Sequence, residues 1–176
     1  MSTEFLSGVD VLRHIKEQFE SASEIVVAVA YWGRGAVKQL ELQKHSSKPV
    51  TVICNLMSGG CNPDEMRELL KLKGKNWKFL FHNNLHGKVY WTPKSAVIGS
   101  SNLSSNGLAY EGLEAAGLVE ANLKTSYEND LRKTREWIDH LAAQSHVVDE
   151  MLIRQAEVIW KTNRRNRPTQ EWRHVS

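Results

Sequence analysis

The spacing of apolar residues changes several times along the chain, and each change marks an element. Val11, Leu12, Ile15 and Phe19 recur at helical spacing and predict an amphipathic helix over Val9 to Ala22, with Ser7 placed to cap it. Glu24 to Tyr31 (EIVVAVAY) is a near-continuous run of Val, Ile and Ala. It reads as a strand buried on both faces of a sheet. Trp32-Gly33-Arg34-Gly35 breaks the run as a loop, and Ala36 to Gln43 follows as a short helix. Pro49 to Asn55 (PVTVICN) reads as a second buried strand. Asn62-Pro63-Asp64-Glu65 is a helix start, with Asn at the cap, Pro in the first turn and acids near the positive end of the helix dipole. Met66, Leu69, Leu70 and Leu72 continue that helix. Trp77 to Phe81 predicts a third strand. Lys88 to Trp91 and Ala96 to Ser100 predict a hairpin turning through Thr92-Pro93-Lys94-Ser95, and Leu113 to Val119 a last strand.

Beyond that point the strand signals stop. Leu123 to Gln144 and Val147 to Lys161 carry helical patterns, with Leu131, Ile138 and Leu141 on one apolar face and Val148, Leu152, Gln155 and Ile159 on another. Strands alternating with helices, then helices alone, predict an α/β fold: an α-β-α sandwich whose central sheet is mixed but mostly parallel, with a helical C-terminal part. One domain over residues 1–163 and a basic, loose tail over 164–176 are expected. The 176-residue length fits a single domain.

Composition narrows the class. The chain is 41% hydrophobic and 24% charged, which excludes wholesale disorder and a collagen-like fibre. Two cysteines, Cys54 and Cys61, are too few for a disulfide framework and fit a reducing compartment. The N-terminus shows no basic region leading an apolar run, and the longest apolar stretch, Ile25 to Tyr31, is too short to cross a membrane. A cytoplasmic protein without a membrane partner is therefore expected. Net charge is +3 and the isoelectric point about 8.9. The basic residues cluster: Lys71, Lys73, Lys75 and Lys78 surround Trp77, and Lys161, Arg164, Arg165 and Arg167 mark the tail. Such clusters suit a phosphate backbone.

The chemistry concentrates in His86-Gly-Lys88 and, further on, Gly99-Ser100-Ser101-Asn102. On a strand, His86 and Lys88 point the same way, as do Ser100 and Asn102. A three-residue hairpin loop (Pro93 to Ser95) puts all four on one face. A two-residue loop separates the pairs, because a one-residue slip reverses every side chain. An imidazole, a fixed cation and hydrogen-bond donors suit a phosphoryl group, whose transition state spreads negative charge over oxygens. Histidine is an available nucleophile near neutral pH.

An H-x-K followed about ten residues later by G-S-x-N resembles the motif of the phospholipase D superfamily. The match is direct over Leu85 to Leu103. With one copy of each element, the chain is similar to the small single-motif bacterial nucleases of that superfamily, which work as homodimers. The resemblance implies a metal-independent phosphodiesterase with no cofactor. His86 would attack phosphorus to give a phosphohistidine, and His86 of a second copy would protonate the leaving oxygen. Lys88 and Asn102 would hold the phosphate, and Ser100 would assist or shape the loop. Glu114 fits the family's carboxylate that orients the histidine, with Glu111 competing. The family's Asp, five residues after the Lys, is Pro93 here. Nucleic acid is the expected substrate and partner, with DNA and RNA both open. A lipid phosphodiesterase or phosphatidyl transferase, and a degenerate nucleic-acid-binding module, are the alternatives.

Around this centre, Tyr31 and Trp32 are placed to stack on bases, and Ser101, Lys75 and Lys78 to touch substrate. Ser58-Gly59-Gly60 offers backbone N–H groups but lacks the ending of a P-loop. His82, His86 and the two cysteines lack the spacing of a zinc site, so no metal site is expected. Trp137 and Trp160 read as packing residues within helices.

Overall fold

The computed structural model describes residues 1–103 and 119–165. Among them a single sheet of eight strands runs in the order β1-β7-β6-β5-β2-β3-β4-β8. The strands are β1 (Thr3–Ser7), β2 (Ile25–Val29), β3 (Val50–Cys54), β4 (Trp77–Phe81), β5 (Lys88–Thr92), β6 (Ser95–Gly99), β7 (Ala121–Thr125) and β8 (His146–Val147). The helices are α1 (Gly8–Glu20), α2 (Ala36–Gln39), α3 (Pro63–Leu72), α4 (Glu128–Ala143) and α5 (Glu150–Arg165), with 3-10 turns at Leu42–His45 and Leu56–Ser58.

All five residues of β2 are buried, as its apolar run requires. Ile25, Val27 and Val29 face a layer built from α1, α3 and α5, where Val11, Ile15, Phe19, Met66, Leu69 and Ile153 close the main core. Val26 and Ala28 face the opposite way, against Leu131, Ile138 and Leu141 of α4. Helices thus cover both faces, giving the expected α-β-α sandwich. Asn62 caps α3 as expected, accepting from Asp64 N at 2.9 Å. Ser7 stands at the N-cap of α1, but its hydroxyl donates to Asp10 instead of capping a backbone N–H.

Three expectations change. The sheet is mixed, but only β2-β3 and β3-β4 pair in parallel, while the pairs at β5, β6, β7, β1 and β8 are antiparallel. A parallel majority was inferred from strand–helix alternation, which stops after β4. The chain then turns back through a hairpin and needs no crossover. Second, Leu123 begins no helix: Ala121–Thr125 is strand β7, and α4 starts only at Glu128. Its buried residues are polar, Asn122 on one face and Thr125 on the other, while Leu123 is exposed, so hydrophobic patterning misses it. Strand β1 has the same character, with Leu6 alone buried. Third, the strand expected at Leu113 to Val119 lies outside the described residues except for Val119, which is exposed and outside any strand. Helix α5 runs through Arg165, past the expected domain limit at residue 163.

Candidate active site

The parallel strands β2, β3 and β4 all end at one edge of the sheet, where open α/β sheets collect ligands. β5 starts there, because it runs antiparallel to β2 with Lys88 opposite Val29. The loop before β5 is fastened from beneath. Asn55, buried at the end of β3, donates from Nδ2 to Asn83 O at 2.9 Å and Leu85 O at 3.1 Å. Ala30 N donates to Gly87 O at 3.2 Å. His86 is thereby held at the edge with its side chain exposed.

Lys88 is buried, and its ammonium reaches back to His86. Nζ donates to His86 O at 2.7 Å and lies 3.2 Å from Nε2 and 3.4 Å from Nδ1. Burial holds the Lys88 ammonium below the usual lysine range, and the field of Glu120 opposes that shift. Among the described residues no carboxylate forms an ion pair with it. A desolvated cation without a close counter-charge is a place for an anion.

Tyr31 completes the group. Its ring meets the His86 imidazole edge to face, with centroids 5.8 Å apart. Lys88 Nζ stands 5.9 Å from the same ring. Gly60 presses on the other side: a Cβ there would fall 2.5 Å from Tyr31 Cδ1, so the position must be bare. The N–H of Gly60 is taken by Ser58 Oγ at 3.1 Å.

The Gly-Ser-Ser-Asn segment arrives by a different route from the one its spacing implied. The hairpin turns on two residues, Pro93 and Lys94, with Thr92 paired to Ser95. In that register Lys88 stands opposite Gly99, not Ser100, so the regular ladder does not bring the four side chains to one face. The strand ends at Gly99 instead. Residues 101–103 then leave β6 and run beside the end of β2: Trp32 and Leu103 form a parallel bridge, and Leu103 N donates to Tyr31 O at 3.2 Å. This places Asn102 Oδ1 3.3 Å from Tyr31 N. The structure therefore brings His86, Lys88 and Asn102 around Tyr31.

Other expected residues fall elsewhere. Trp32 is fully buried and donates from Nε1 to Val29 O at 3.1 Å, so it packs the core and offers no stacking surface. Ser101 is also fully buried: Asn122 donates to its Oγ at 2.8 Å, and its carbonyl accepts from Tyr90 Oη at 2.8 Å. It shapes the loop and cannot touch substrate. Ser100 Oγ bonds the Glu120 carboxylate and Ala121 O. Lys75 and Lys78 sit at the opposite edge of the sheet, where Trp77 pairs with Val50 and Val50 with Ile25. Four residues of strand, about 13 Å, separate that edge from Lys88. Parallel pairing carries the start of β4 away from the site, so these lysines do not line it. Glu114 and Glu111 lie outside the described residues.

Three residues were not singled out in the sequence, and a fourth has another role than the one its pattern implies. Asn55 ends a buried strand at the ligand edge, which is a readable signal. Asn122 and Glu120 carry none, because the strand they introduce is itself unreadable. Trp137 was read as packing, yet it is 41% exposed and its ring covers Gly87. Cys54 and Cys61 are buried, and the neighbouring Cys61 together with burial pushes the Cys54 thiol well up. Among the described residues no group of three His, Cys, Asp or Glu side chains is arranged to hold a metal ion. No described helix is long and apolar enough to cross a membrane.

No family profile and no curated protein sequence matches the chain. Solved structures do match its fold. NucT from Helicobacter pylori superposes with a TM-score of 0.67 at 17% identity, over 84% of this chain and 99% of that one. Nuc from Salmonella typhimurium, a phospholipase D family member, gives 0.66 at 12% identity, over 85% and 99%. Phosphatidylserine synthase from Haemophilus influenzae gives 0.62 at 14% identity, over 93% of this chain and 44% of that one.

Proposed function

With the fold of phospholipase D proteins as premise, we propose that this chain is a member of that superfamily and a phosphodiesterase that cleaves DNA or RNA without a metal, in an active site shared by two copies. The observation that carries the reading is the exposed His86 imidazole beside the buried Lys88 ammonium, which pairs with no carboxylate among the described residues. A phosphate drawn to Lys88 would lie against His86. An imidazole nitrogen then forms a bond to phosphorus as the P–O bond to the leaving group breaks. His86 of the second copy gives that oxygen its proton. The same group next takes a proton from water, whose oxygen attacks phosphorus and releases His86. Lys88 balances charge on the equatorial oxygens, and the Asn102 amide N–H holds one of them. Ser100 and Glu120 keep the loop in shape. Glu114 is proposed as the carboxylate that orients His86.

Nucleic acid is favoured over lipid by the net positive charge and by exposed Arg34 on the loop that follows Tyr31 and Trp32. A cytoplasmic location and a homodimer are parts of the same proposal.

The test is cleavage of plasmid and single-stranded DNA and RNA in excess EDTA, with wild type and His86→Ala side by side. Cutting in EDTA is expected, with a loss of at least about a thousandfold in the variant, the scale of removing a catalytic nucleophile. Cutting only after metal is added, or equal cutting by His86→Ala, would overturn the mechanism. Turnover of phosphatidylcholine vesicles with inert DNA would overturn the substrate class.

A further inference from the structure

A cavity of about 400 Å³ adjoins the candidate site on the other face of β5. Its floor is Val89 and Ile98, paired across β5 and β6. Its wall is Lys133, Thr134 and Trp137 of α4. Gly87, Lys88 and Gly99 line it as well, so it shares residues with both motifs. Lys88 sends its side chain to the opposite face, toward His86, and the Trp137 ring lies against Gly87.

We propose that this cavity binds the nucleobase next to the scissile phosphate, with Trp137 as its stacking platform. The inference rests on the nucleic-acid reading above and adds the element that would recognise the polymer beyond its phosphate. Trp137 and Ile98 stay 41% and 38% exposed, although both border the core under α4. A flat indole over an aliphatic floor suits the π-face of any base and selects none by hydrogen bonding. Thr134 Oγ1 donates to Asp130 O at 2.7 Å, and Lys133 is the charged side chain that α4 brings to the cavity. A cation there faces the next phosphate or a base carbonyl. The volume lies within the range of small-molecule sites. The basic cluster at Lys75 and Lys78 is on the far edge, whereas this cavity adjoins the chemistry.

The test compares binding of a fluorescein-labelled dT12 with an abasic deoxyribose-phosphate 12-mer, in EDTA and in the His86→Ala background to prevent cleavage. Stacking predicts that dT12 binds about 5- to 150-fold more tightly than the abasic strand. Trp137→Leu keeps an apolar contact on Gly87 but removes the ring. It should bring dT12 down to the abasic value and leave the abasic strand unchanged. Trp137→Phe should restore most of the difference. Equal weakening of both strands by Trp137→Leu, or a changed oligomeric state with it, would overturn the proposal and make Trp137 structural or an interface residue. Two outcomes separate its failure from that of the catalytic reading. Hydrolysis of bis(4-nitrophenyl) phosphate without oligonucleotide binding would overturn the subsite and the polymer substrate but keep the phosphodiesterase. Inactivity on the small diester as well would overturn both.

Discussion

The two halves of the sheet are held together by different physics, and the candidate site lies on the seam. In β2, β3 and β4, nearly every side chain is apolar and buried between helical layers. On the β6-β7-β1 side, the buried residues of β7 are Asn122 and, on the opposite face, Thr125, and the fit depends on directed contacts. Asn122 Nδ2 donates to Ser101 Oγ at 2.8 Å, and its Oδ1 accepts from Ser101 N at 3.3 Å. Tyr90 Oη reaches over from β5 to Ser101 O. Apolar burial tolerates small shifts, whereas a hydrogen-bonded pin holds one arrangement. The half that supplies stability is therefore not the half that sets the position of the Gly-Ser-Ser-Asn loop.

Substitutions should separate the two roles. The largest stability effect is expected from Phe79→Ala in β4, a buried ring far from the site. Its removal should cost about 3–5 kcal/mol, a fall in melting temperature of roughly 6–20 °C. Activity measured well below the new midpoint should stay near wild type; a matching loss of activity would break the comparison. Gly99→Ala acts on the other half. A Cβ there would lie 2.3 Å from Asn122 Oδ1 and 2.5 Å from Ala121 O. Backbone cannot yield as a flexible side chain can, so the strand must shift, at about 1–3 kcal/mol or more. Here cleavage should fall by far more than the stability change accounts for, because Asn102 is three residues on.

Asn122→Ala is the next step down. It leaves the buried Ser101 N–H and Oγ without these partners, at about 1–3 kcal/mol. Asn122→Asp restores an acceptor for Ser101 N and for the Ser101 hydroxyl. Recovery of activity in Asp but not in Ala, read as kcat at saturating substrate, would sharpen the claim that the pin positions the loop. Equal kcat in both would leave the pin a stability feature only.

The same contrast explains what was legible in the sequence. Runs such as EIVVAVAY and PVTVICN announce buried strands because apolar burial writes itself into composition. The His86-Gly87-Lys88 and Gly99 to Asn102 elements were legible as chemistry. Their assembly was not, since a two-residue turn forbids the ladder that would align them, and the departure of residues 101–103 from β6 has no local signal. Strand β7 hides for a related reason: a strand whose buried residues are Asn122 and Thr125, one on each face, resembles a polar linker. Trp32 was misassigned because an aromatic after a strand looks the same whether it turns inward or out. Lys75 and Lys78 were misassigned because a charge cluster carries no record of which sheet edge it occupies.

Charge offers a smaller effect, at the seam itself. Lys88 must be protonated to hold phosphate, and burial lowers its affinity for the proton. Activity should therefore fall with rising pH below the ordinary lysine range near 10.4. In Lys88→Arg, which stays charged, this alkaline limb should vanish from the kcat/KM profile even if the rate is lower. Persistence of the limb would assign it to another group.

The smallest effect is expected where neither half of the sheet is involved, at the contact between α3 and α5. Arg67 holds Glu157 at 2.6 Å and Glu150 at 3.1 Å. The Arg67 and Lys161 bonds bring the Glu157 carboxyl down to about 2. A carboxylate with a folded value below its unfolded one near 4.3 stabilises the fold above that unfolded value. The contribution is lost as pH falls from there toward 2. The pair is partly exposed, so the gain is modest and screened by salt. Glu157→Gln should lower the melting temperature slightly at neutral pH and flatten its decline in that acid window. Cleavage at neutral pH should not change, since α5 bears on the layer behind β2 and not on the loop that Asn122 fixes. A loss of activity in Glu157→Gln beyond its loss of stability would show that the helical layer also sets the site, and the division between the two halves would fail.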